Sequence, residues 1–275
     1  MGPLSGKRAL VCGSTQGIGR ACAFELARLG ARVTLLARDE AKLRKVRDEL
    51  ARAGPPGSGL QAGGPQADDG GPDHLCADFG DPEAVRRVVA GHVDRTGPIE
   101  ILLNNTGGPP GGPIAAAGPE TFLAAFSAHL VCNQLLAQTL IPGMRQRGFG
   151  RIINIVSTSV RQPIEGLGVS NTIRSAVAGW AKTLAGEVAP HGITVNNVLP
   201  GATATERLRS LIQARARAAG VAEQEVERRM QAEIPLGRFA APEEIAAAAG
   251  FLATPAAGYI TGISLPVDGG RIACL

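Results

Sequence analysis

Short runs of aliphatic residues alternate along the chain with longer stretches in which apolar residues recur every three or four positions. The runs predict β-strands, and the longer stretches predict amphipathic helices. The predicted strands are residues 8–12, 32–37, 74–77, 99–103, 151–156, 194–199 and 263–267, and the predicted helices are residues 17–29, 40–53, 82–95, 122–146 and 168–189. This alternation favours an α/β fold, a single doubly wound parallel sheet with helices on both faces.

Two segments do not follow this alternation. Residues 54–73 are rich in Gly and Pro and have no apolar periodicity, so we expect a flexible surface insertion there. Residues 205–233 predict two short helices, with apolar Leu208, Leu211 and Ile212 among many Arg and Glu residues. Because ligands of open α/β sheets bind at the carboxyl ends of the strands, we expect this helical pair to act as a lid. We interpret residues 1–275 as one domain.

The composition indicates a globular protein and argues against two classes of partner. Of the 275 residues, 44% are hydrophobic, 19% charged and only 3% aromatic, so we expect a core of Ala, Val, Leu and Ile. The net charge is +4, but the 28 basic residues are interleaved with 24 acidic ones and do not stand beside aromatics, which argues against a nucleic-acid partner. No apolar stretch approaches the ~20 residues that span a bilayer, so we expect a cytoplasmic protein with no membrane partner.

The cysteines give no indication of function. They are scattered, with no Cys-x-x-Cys pair and no histidines at metal-ligand spacing. We therefore predict no metal site and interpret the cysteines as small buried apolar residues of a reducing compartment. They are Cys12, Cys22, Cys76, Cys132 and Cys274.

A glycine-rich turn joins the first predicted strand to the first helix. Its glycines allow a tight bend and a close approach of the backbone to a diphosphate, and the helix supplies free N–H groups and a partial positive charge. Glycine also marks ordinary turns, but this turn opens a β-α-β unit, which favours dinucleotide binding. The predicted site comprises Gly13, Ser14, Thr15, Gln16, Gly17, Ile18 and Gly19.

Several motifs, in order along nearly the whole chain, carry a family resemblance. The turn has the spacing Gly-x-x-x-Gly-x-Gly, Asn104-Asn105-Thr106-Gly107 is similar to an Asn-Asn-Ala-Gly motif, Pro200-Gly201 follows the sixth strand, and Tyr259 to Gly262 precede Val267 to Gly270. Together they resemble the short-chain dehydrogenases/reductases, and among these the 3-oxoacyl-acyl-carrier-protein reductases. The resemblance implies a Rossmann-type fold, an NAD(P) cofactor, and oxidoreductase activity on a carbonyl or alcohol of a small-molecule or acyl substrate. It also implies a homotetramer or homodimer paired through helices 122–146 and 168–189.

Carried over residue by residue, the resemblance implies a set of cofactor contacts. The glycine turn would hold the diphosphate and the adenosine ribose, and Arg174 the nicotinamide ribose. The other contacts are Asp78 and Phe79 at the adenine, Asn105, Thr106 and Gly107 beside the ribose, Pro200 and Gly201 on the nicotinamide side, and Thr203 at the nicotinamide amide.

The residue after the second strand bears on the choice between NAD and NADP. NAD-binding sites place an acidic residue there, which accepts hydrogen bonds from the ribose hydroxyls. This chain has Arg38 instead, and a guanidinium binds a 2′-phosphate through paired hydrogen bonds. We therefore expect NADP in preference to NAD, although Gln16 in the glycine turn is not basic. The alternative is that Arg38 caps the strand or pairs with Asp39.

The catalytic pattern of this family is altered at three of its four positions. The family uses a Ser, a Tyr that moves the proton, a Lys four residues later and an Asn. Here Ser157 stands at the Ser position, Ser170 at the Tyr position, Arg174 at the Lys position and His129 at the Asn position. The one tyrosine, Tyr259, lies in the C-terminal motif, and Lys182 is expected to point outward, so no shift of register restores the pattern.

These substitutions leave the proton donor open. A serine hydroxyl is a far weaker acid than tyrosine, and an arginine stays charged and cannot relay a proton. His129 could supply the proton or be a structural residue, and Ser157 could hold the substrate oxygen or bond to the backbone. Three hypotheses follow: a divergent NAD(P)-dependent oxidoreductase, a catalytically weak or silent dinucleotide- or ligand-binding protein, and a non-redox isomerase or lyase.

Overall fold

The computed structural model describes residues 2–53 and 71–274. Its strands are β1 (Arg8–Cys12), β2 (Arg32–Ala37), β3 (Asp73–Cys76), β4 (Ile101–Asn104), β5 (Gly150–Ile155), β6 (Ile193–Pro200) and β7 (Ser264–Val267). Within these residues they form one seven-stranded sheet in the order β3-β2-β1-β4-β5-β6-β7, and every neighbouring pair is parallel. This is the Rossmann order with one strand added, so the predicted fold class is confirmed.

Helices cover both faces of the sheet. They are α1 (Gly17–Arg28), α2 (Glu40–Ala53), α3 (Pro82–Thr96), α4 (Pro119–Phe126), α5 (Cys132–Arg147), α6 (Gly168–Val188), α7 (Glu206–Ala219), α8 (Glu223–Ala232) and α9 (Pro242–Ala253). Apolar side chains of α1, α2 and α9 share one core with the sheet, and those of α3, α5 and α6 share the other.

The first strand shows why the aliphatic runs become central strands. Ala9 and Val11 point into the core that contains α1 and α9, whereas Leu10 and Cys12 point into the opposite core. All four are fully buried. Because successive side chains of a strand alternate between its faces, a strand covered on both sides favours apolar residues at successive positions.

The structure differs from the sequence-based expectations in several boundaries. The predicted strand 99–103 lies at Ile101–Asn104, and the long predicted helix 122–146 is α4 and α5 joined by a π-helical turn, Ser127–Val131. The sequence analysis did not identify α9. Of the predicted insertion 54–73, residues 54–70 lie outside the described residues, and Asp73 already belongs to β3.

The expected pair of helices after β6 is α7 and α8. They share an apolar cluster of their own, formed by Leu208, Ile212, Val226 and Met230, so they fold against each other beside the carboxyl end of β6. Thr205 begins α7, and its hydroxyl accepts a hydrogen bond from the Leu208 N–H at 3.3 Å.

Two sequence-based expectations concern cysteines and membranes. Cys12, Cys22 and Cys132 are buried as expected, but Cys76 and Cys274 are exposed. Cys76 ends the edge strand β3, where only one neighbouring strand covers it. None of the described helices has the length and apolar character needed to cross a membrane, and the described residues contain no cluster of potential metal ligands.

Candidate active site

The glycine turn between β1 and α1 has a backbone that few other residues could adopt. Gly13 and Gly17 have φ values of +59° and +53°, in the left-handed region that glycine favours. A Cβ at Gly13 would lie 2.5 Å from the carbonyl oxygen of Asn105, and one at Gly19 would lie 2.2 Å from the carbonyl oxygen of Gly13. Gln16 precedes α1 and makes no side-chain capping bond. The first N–H groups of α1 are therefore available to an anion.

Asn105 braces this turn from the neighbouring strand. Its side-chain amide donates to the carbonyl oxygens of Cys12 and Gly13 at 3.4 and 3.3 Å. The turn is therefore held against the end of β4, and the contact of Asn105 with a ribose stays a prediction. Ser14 is also fixed here: it is fully buried, with its hydroxyl 3.5 Å from the Leu36 carbonyl oxygen. Thr15, Gln16 and Ile18 are only partly covered or exposed.

Arg38 is exposed at the carboxyl end of β2. The alternative of an Arg38–Asp39 pair is not observed, because Asp39 accepts from the Lys42 N–H at 3.0 Å and pairs with the Lys42 ammonium at 3.5 Å. Among residues 2–53 and 71–274, Arg38 has no ion-pair partner. Its guanidinium is thus accessible to a ligand, whereas its carbonyl oxygen accepts from Cys76 Sγ.

The predicted adenine contacts follow β3. Asp78 is exposed, and its carboxylate accepts the Gly80 N–H at 2.9 Å. Phe79 is half-buried and packs against the core that contains α3 and α5. Both residues lie at the same edge of the sheet as the glycine turn, because all strands run parallel.

The turn after β6 brings the C-terminal motif and the helical pair into the site. A Cβ at Gly201 would lie 2.7 Å from Asp268 Cα, so the Pro200-Gly201 turn packs directly on that motif. Thr203 is buried and donates to the Gly201 carbonyl oxygen at 3.1 Å. The sequence analysis missed Thr205, whose methyl group lies 3.2 Å from the position of a Cβ at Gly17. The sequence could have indicated Thr205 as the start of a helix, since Thr is a preferred N-cap residue.

His129 lies in the π-helical turn between α4 and α5, a feature that often occurs at functional sites. It is 3% exposed, and its Nδ1 is hydrogen-bonded to Thr106 Oγ1 at 2.5 Å. Burial, followed by the nearby positive charge of Arg174, lowers the pKa of His129 to about 3. The imidazole is therefore neutral at pH 7.

Arg174 projects from α6 toward the end of β5, where its Nη1 donates to the Ile155 carbonyl oxygen at 2.9 Å. Burial, and then the charge of Arg207, lower its pKa to about 10, so it remains charged at pH 7. One helical turn earlier, Ser170 is half-buried, and its hydroxyl has no hydrogen-bond partner among the described residues. Ser157 Oγ accepts from the Ser159 N–H at 3.1 Å.

The likeness to known proteins agrees with this geometry. A family model described as enoyl-(acyl carrier protein) reductase matches residues 13–271. The chain belongs to the short-chain dehydrogenase/reductase family. The 3-oxoacyl-[acyl-carrier-protein] reductase FabG of Vibrio cholerae is 32% identical over 267 residues, which cover 97% of this chain and 98% of that protein.

Solved structures of this family superpose on nearly the whole chain. L-sorbose reductase from Gluconobacter frateurii, complexed with NADPH and L-sorbose, is 31% identical with a TM-score of 0.89 and covers 100% of both chains. A single-residue variant of the actinorhodin polyketide ketoreductase, with NADPH, is 32% identical with a TM-score of 0.85, covering 98% of this chain and 99% of that one.

Two residues at predicted tetrad positions, His129 and Arg174, lie together, whereas Ser157 and Ser170 do not line the cavity that these two share. His129, Asn105, Thr106 and Arg174 line one small polar cavity of about 10 Å³, which is room for about one water molecule. Tyr259 is fully exposed in the C-terminal motif, and Lys182 is exposed, with its ammonium close to Gly262. Neither residue is among those that line this cavity.

A ladder of buried amides, which the sequence analysis missed, also reaches this cavity. Asn104 donates to Asn154 at 2.9 Å, Asn154 donates to Asn197 at 2.9 Å, and Asn197 donates to Ser264 Oγ at 3.2 Å. The four residues stand at paired positions of β4, β5, β6 and β7. The ladder links β4, β5, β6 and β7 side by side across the sheet.

A larger cleft of about 680 Å³ opens between the segment after β5, α7 and the C-terminal residues. Thr158, Ile164, Arg215, Glu233 and Arg271 are among its lining residues. Arg271 pairs with Glu233 at 2.5 Å, and Arg215 donates to the Glu165 carbonyl oxygen at 3.3 Å. A cleft of this size accommodates a small organic molecule.

Proposed function

We propose that this protein is an NADP-dependent oxidoreductase that acts on a carbonyl or alcohol of a small-molecule or acyl substrate. The observation that carries the proposal is the glycine turn. Its backbone leaves no room for Cβ atoms at Gly13 and Gly19, it is braced by Asn105, and it opens on the uncapped start of α1. These features fit a dinucleotide diphosphate.

The accessible Arg38 supports NADP over NAD, because its guanidinium can bind the 2′-phosphate. The sorbose reductase and the actinorhodin ketoreductase, which superpose on this chain, are both described with NADPH. The cofactor, when bound, supplies or accepts a hydride. In this arrangement Asp78 and Phe79 make the remaining adenosine contacts. Thr203 lies on the nicotinamide side of the cofactor, and Thr205 lies on the diphosphate side.

The substrate oxygen would be held by Ser157 and Arg174 rather than by a Tyr. Arg174 is already oriented by its bond to Ile155 and keeps further N–H groups for a ribose hydroxyl or the substrate oxygen. His129 is neutral in the structure, so we assign it a positioning role through its bond to Thr106. The proton then comes from water, and Ser170 supplies a hydroxyl one helical turn before Arg174.

The unpartnered hydroxyl of Ser170 favours one alternative, a protein that binds the dinucleotide but turns over slowly or not at all. No described carboxylate bonds to Ser170, and His129 has a pKa of about 3, so no base near neutrality activates the serine.

We also propose a homodimer or homotetramer paired through α4, α5 and α6, since α4 exposes Leu123 and Phe126 at 70% and 41%.

The decisive experiment is a fluorescence titration of the purified full-length chain with NADPH and NADH, followed by turnover assays on ketones and 3-oxoacyl thioesters. We expect NADPH to bind more tightly than NADH. Replacing Arg38 by Ala should weaken NADPH binding about 10- to 100-fold, the effect of losing a charge-assisted hydrogen bond, and leave NADH unchanged. The matched control is Arg47→Ala, at a partly exposed arginine of α2 that pairs with Asp48.

The outcomes separate the hypotheses. Binding with turnover supports the oxidoreductase, and tight binding without turnover on any substrate supports the binding protein. If neither nucleotide binds at millimolar concentration, the proposed function is wrong.

A further inference from the structure

The large cleft after β5 opens next to the residue proposed to hold the substrate oxygen. Thr158 lines this cleft and directly follows Ser157, and the Cα atoms of consecutive residues are about 3.8 Å apart. The other walls come from residues 162–166, from α7 and from the residues that follow α8 and β7. A substrate whose carbonyl reaches Ser157 therefore has this cleft beside it for the rest of its structure.

The lining of this cleft is more polar than that of most ligand pockets, which are lined predominantly by hydrophobic and aromatic side chains. None of the described residues that line it is aromatic, and more than half are polar or charged. An alkyl chain bound here would remove water from these groups without replacing its hydrogen bonds, which is unfavourable. The polar and charged residues of the lining are Thr158, Gln162, Glu165, Arg215, Glu233 and Arg271.

The charges of the lining residues balance, since two of them are arginines and two are glutamates. Arg271 and Glu233 form an ion pair. Arg215 bonds to the carbonyl oxygen of Glu165, so these two residues are also neighbours. An anionic ligand that approached Arg215 would meet the like charges of the glutamates as well. The cleft therefore favours a neutral ligand.

Two neutral side chains of the cleft have hydrogen-bonding groups to spare. Thr158 is 3% exposed, and its hydroxyl has no hydrogen-bond partner among residues 2–53 and 71–274. Because buried hydroxyls are normally hydrogen-bonded, a ligand in the cleft would supply the partner that Thr158 lacks. Gln162 is exposed, and its side-chain amide, which can both donate and accept, is likewise unpaired within the described part of the chain.

A hydroxyl group both donates and accepts hydrogen bonds, so it matches a lining that combines N–H donors with carboxylate and carbonyl oxygens. We propose that the cleft binds a neutral polyhydroxylated carbonyl compound, a ketose or the polyol formed from it, and that Thr158 and Gln162 bond to its hydroxyls. This inference rests on the proposed function and narrows its substrate class. A 3-oxoacyl thioester, by contrast, would place a chain without hydroxyls against these groups.

The test compares ketoses with ketones of the same carbon skeleton on the full-length protein saturated with NADP⁺. Calorimetric titrations use D- and L-erythrulose, D- and L-xylulose and D-fructose, with 2-butanone, 2-pentanone and 2-hexanone as the matched compounds. The thioester of acetoacetate with N-acetylcysteamine represents the acyl substrates. The variants are Thr158→Val and Gln162→Met, and NADPH affinity is measured for each by fluorescence. The matched control is Thr183→Val, at an exposed threonine of α6 whose hydroxyl donates to the Gly179 carbonyl oxygen at 3.1 Å.

We expect at least one ketose to bind about 10-fold or more tightly than its matched ketone, because a site that bonds to hydroxyls rejects the analogue that lacks them. Thr158→Val and Gln162→Met should each weaken the binding of that ketose about 3- to 10-fold, the effect of losing one hydrogen bond. The ketone and NADPH should be unaffected, and Thr183→Val should match the wild type.

Three results would overturn the inference while NADPH still binds. They are that no ketose binds better than its matched ketone, that the thioester binds more tightly than every ketose, or that neither variant weakens ketose binding. A preference for the thioester would leave the oxidoreductase proposal intact, whereas failure of NADPH binding itself would remove the proposed function.

Discussion

The protonation state of His129 determines whether it can serve as an acid, and it can be measured through the stability of the fold. Burial lowers the pKa of His129 from 6.5 to about 3, so the folded protein holds it neutral at pH values where the unfolded chain is already protonated. A group whose pKa is depressed in the folded state stabilises the protein fully above its unfolded pKa and loses that contribution as the pH falls. The window here extends from 6.5 down to about 3.

The size of the effect follows from the shift. Lowering the pH from 7 to 5 crosses about 1.5 units below the unfolded value of 6.5, and each unit corresponds to about 1.4 kcal/mol. His129 should therefore make the wild type lose about 2 kcal/mol more stability over this interval than a variant without the histidine. His92, whose pKa burial also lowers, contributes equally to both proteins and cancels in the comparison.

The assay is urea unfolding at pH 7 and pH 5 of the wild type and His129→Asn, in which an amide can still bond to Thr106. His191→Asn, at an exposed histidine on the surface before β6, is the control and should follow the wild type. If His129→Asn loses as much stability as the wild type between the two pH values, His129 is not held neutral. Its assignment as a positioning residue would then be wrong, and an imidazolium donor near neutral pH would become the better explanation.

Two further predictions concern the ladder and the altered tetrad. Replacing Asn154 by Leu leaves the buried side-chain amide of Asn104 and the buried side-chain carbonyl of Asn197 unpaired. Urea unfolding should therefore show that the free energy of unfolding falls by about 2–5 kcal/mol. A fall of less than about 1 kcal/mol would mean that the hydrogen bonds of the ladder do not stabilise the fold as described. Restoring the family pattern with Ser170→Tyr and Arg174→Lys together should raise NADPH-dependent ketone reduction about 100-fold, measured by NADPH absorbance. The single Ser170→Tyr variant is its control, and no gain in the double variant would show that other parts of the site have also diverged.

The elements that the sequence predicted well are those whose pattern depends on burial alone. The run that became β1 is apolar at every position after Arg8 because helices cover both faces of this strand. The helix α9 was missed because its Ala-rich sequence has no sharp polar face to mark the period. Most of its apolar residues are buried against α1 and the sheet, so little of the helix surface shows the alternation on which the prediction relies.

The site was predictable where backbone conformation dictates the residue type. Gly13 and Gly17 need positive φ values, and this requirement is visible in the sequence as a glycine spacing. The ladder from Asn104 to Ser264 could not be predicted, since it depends on the register of strands whose bonded residues are 43 to 67 residues apart along the chain.

The predicted exchange of the family's Tyr and Lys for Ser170 and Arg174 would change the kind of stabilisation that this site can give. Hydride addition to a carbonyl places negative charge on its oxygen. In a Tyr-Lys pair, the Tyr neutralises that charge by donating a proton. Here the nearby groups are a charged Arg174, a neutral His129 and Ser hydroxyls. Such a site stabilises an oxyanion through fixed positive charge and hydrogen bonds, which is the stronger contribution when the donors are already oriented. In the proposed reaction, protonation of the oxygen therefore follows from water after the charge has formed, and the rate should depend more on Arg174 than on the hydroxyl of Ser170.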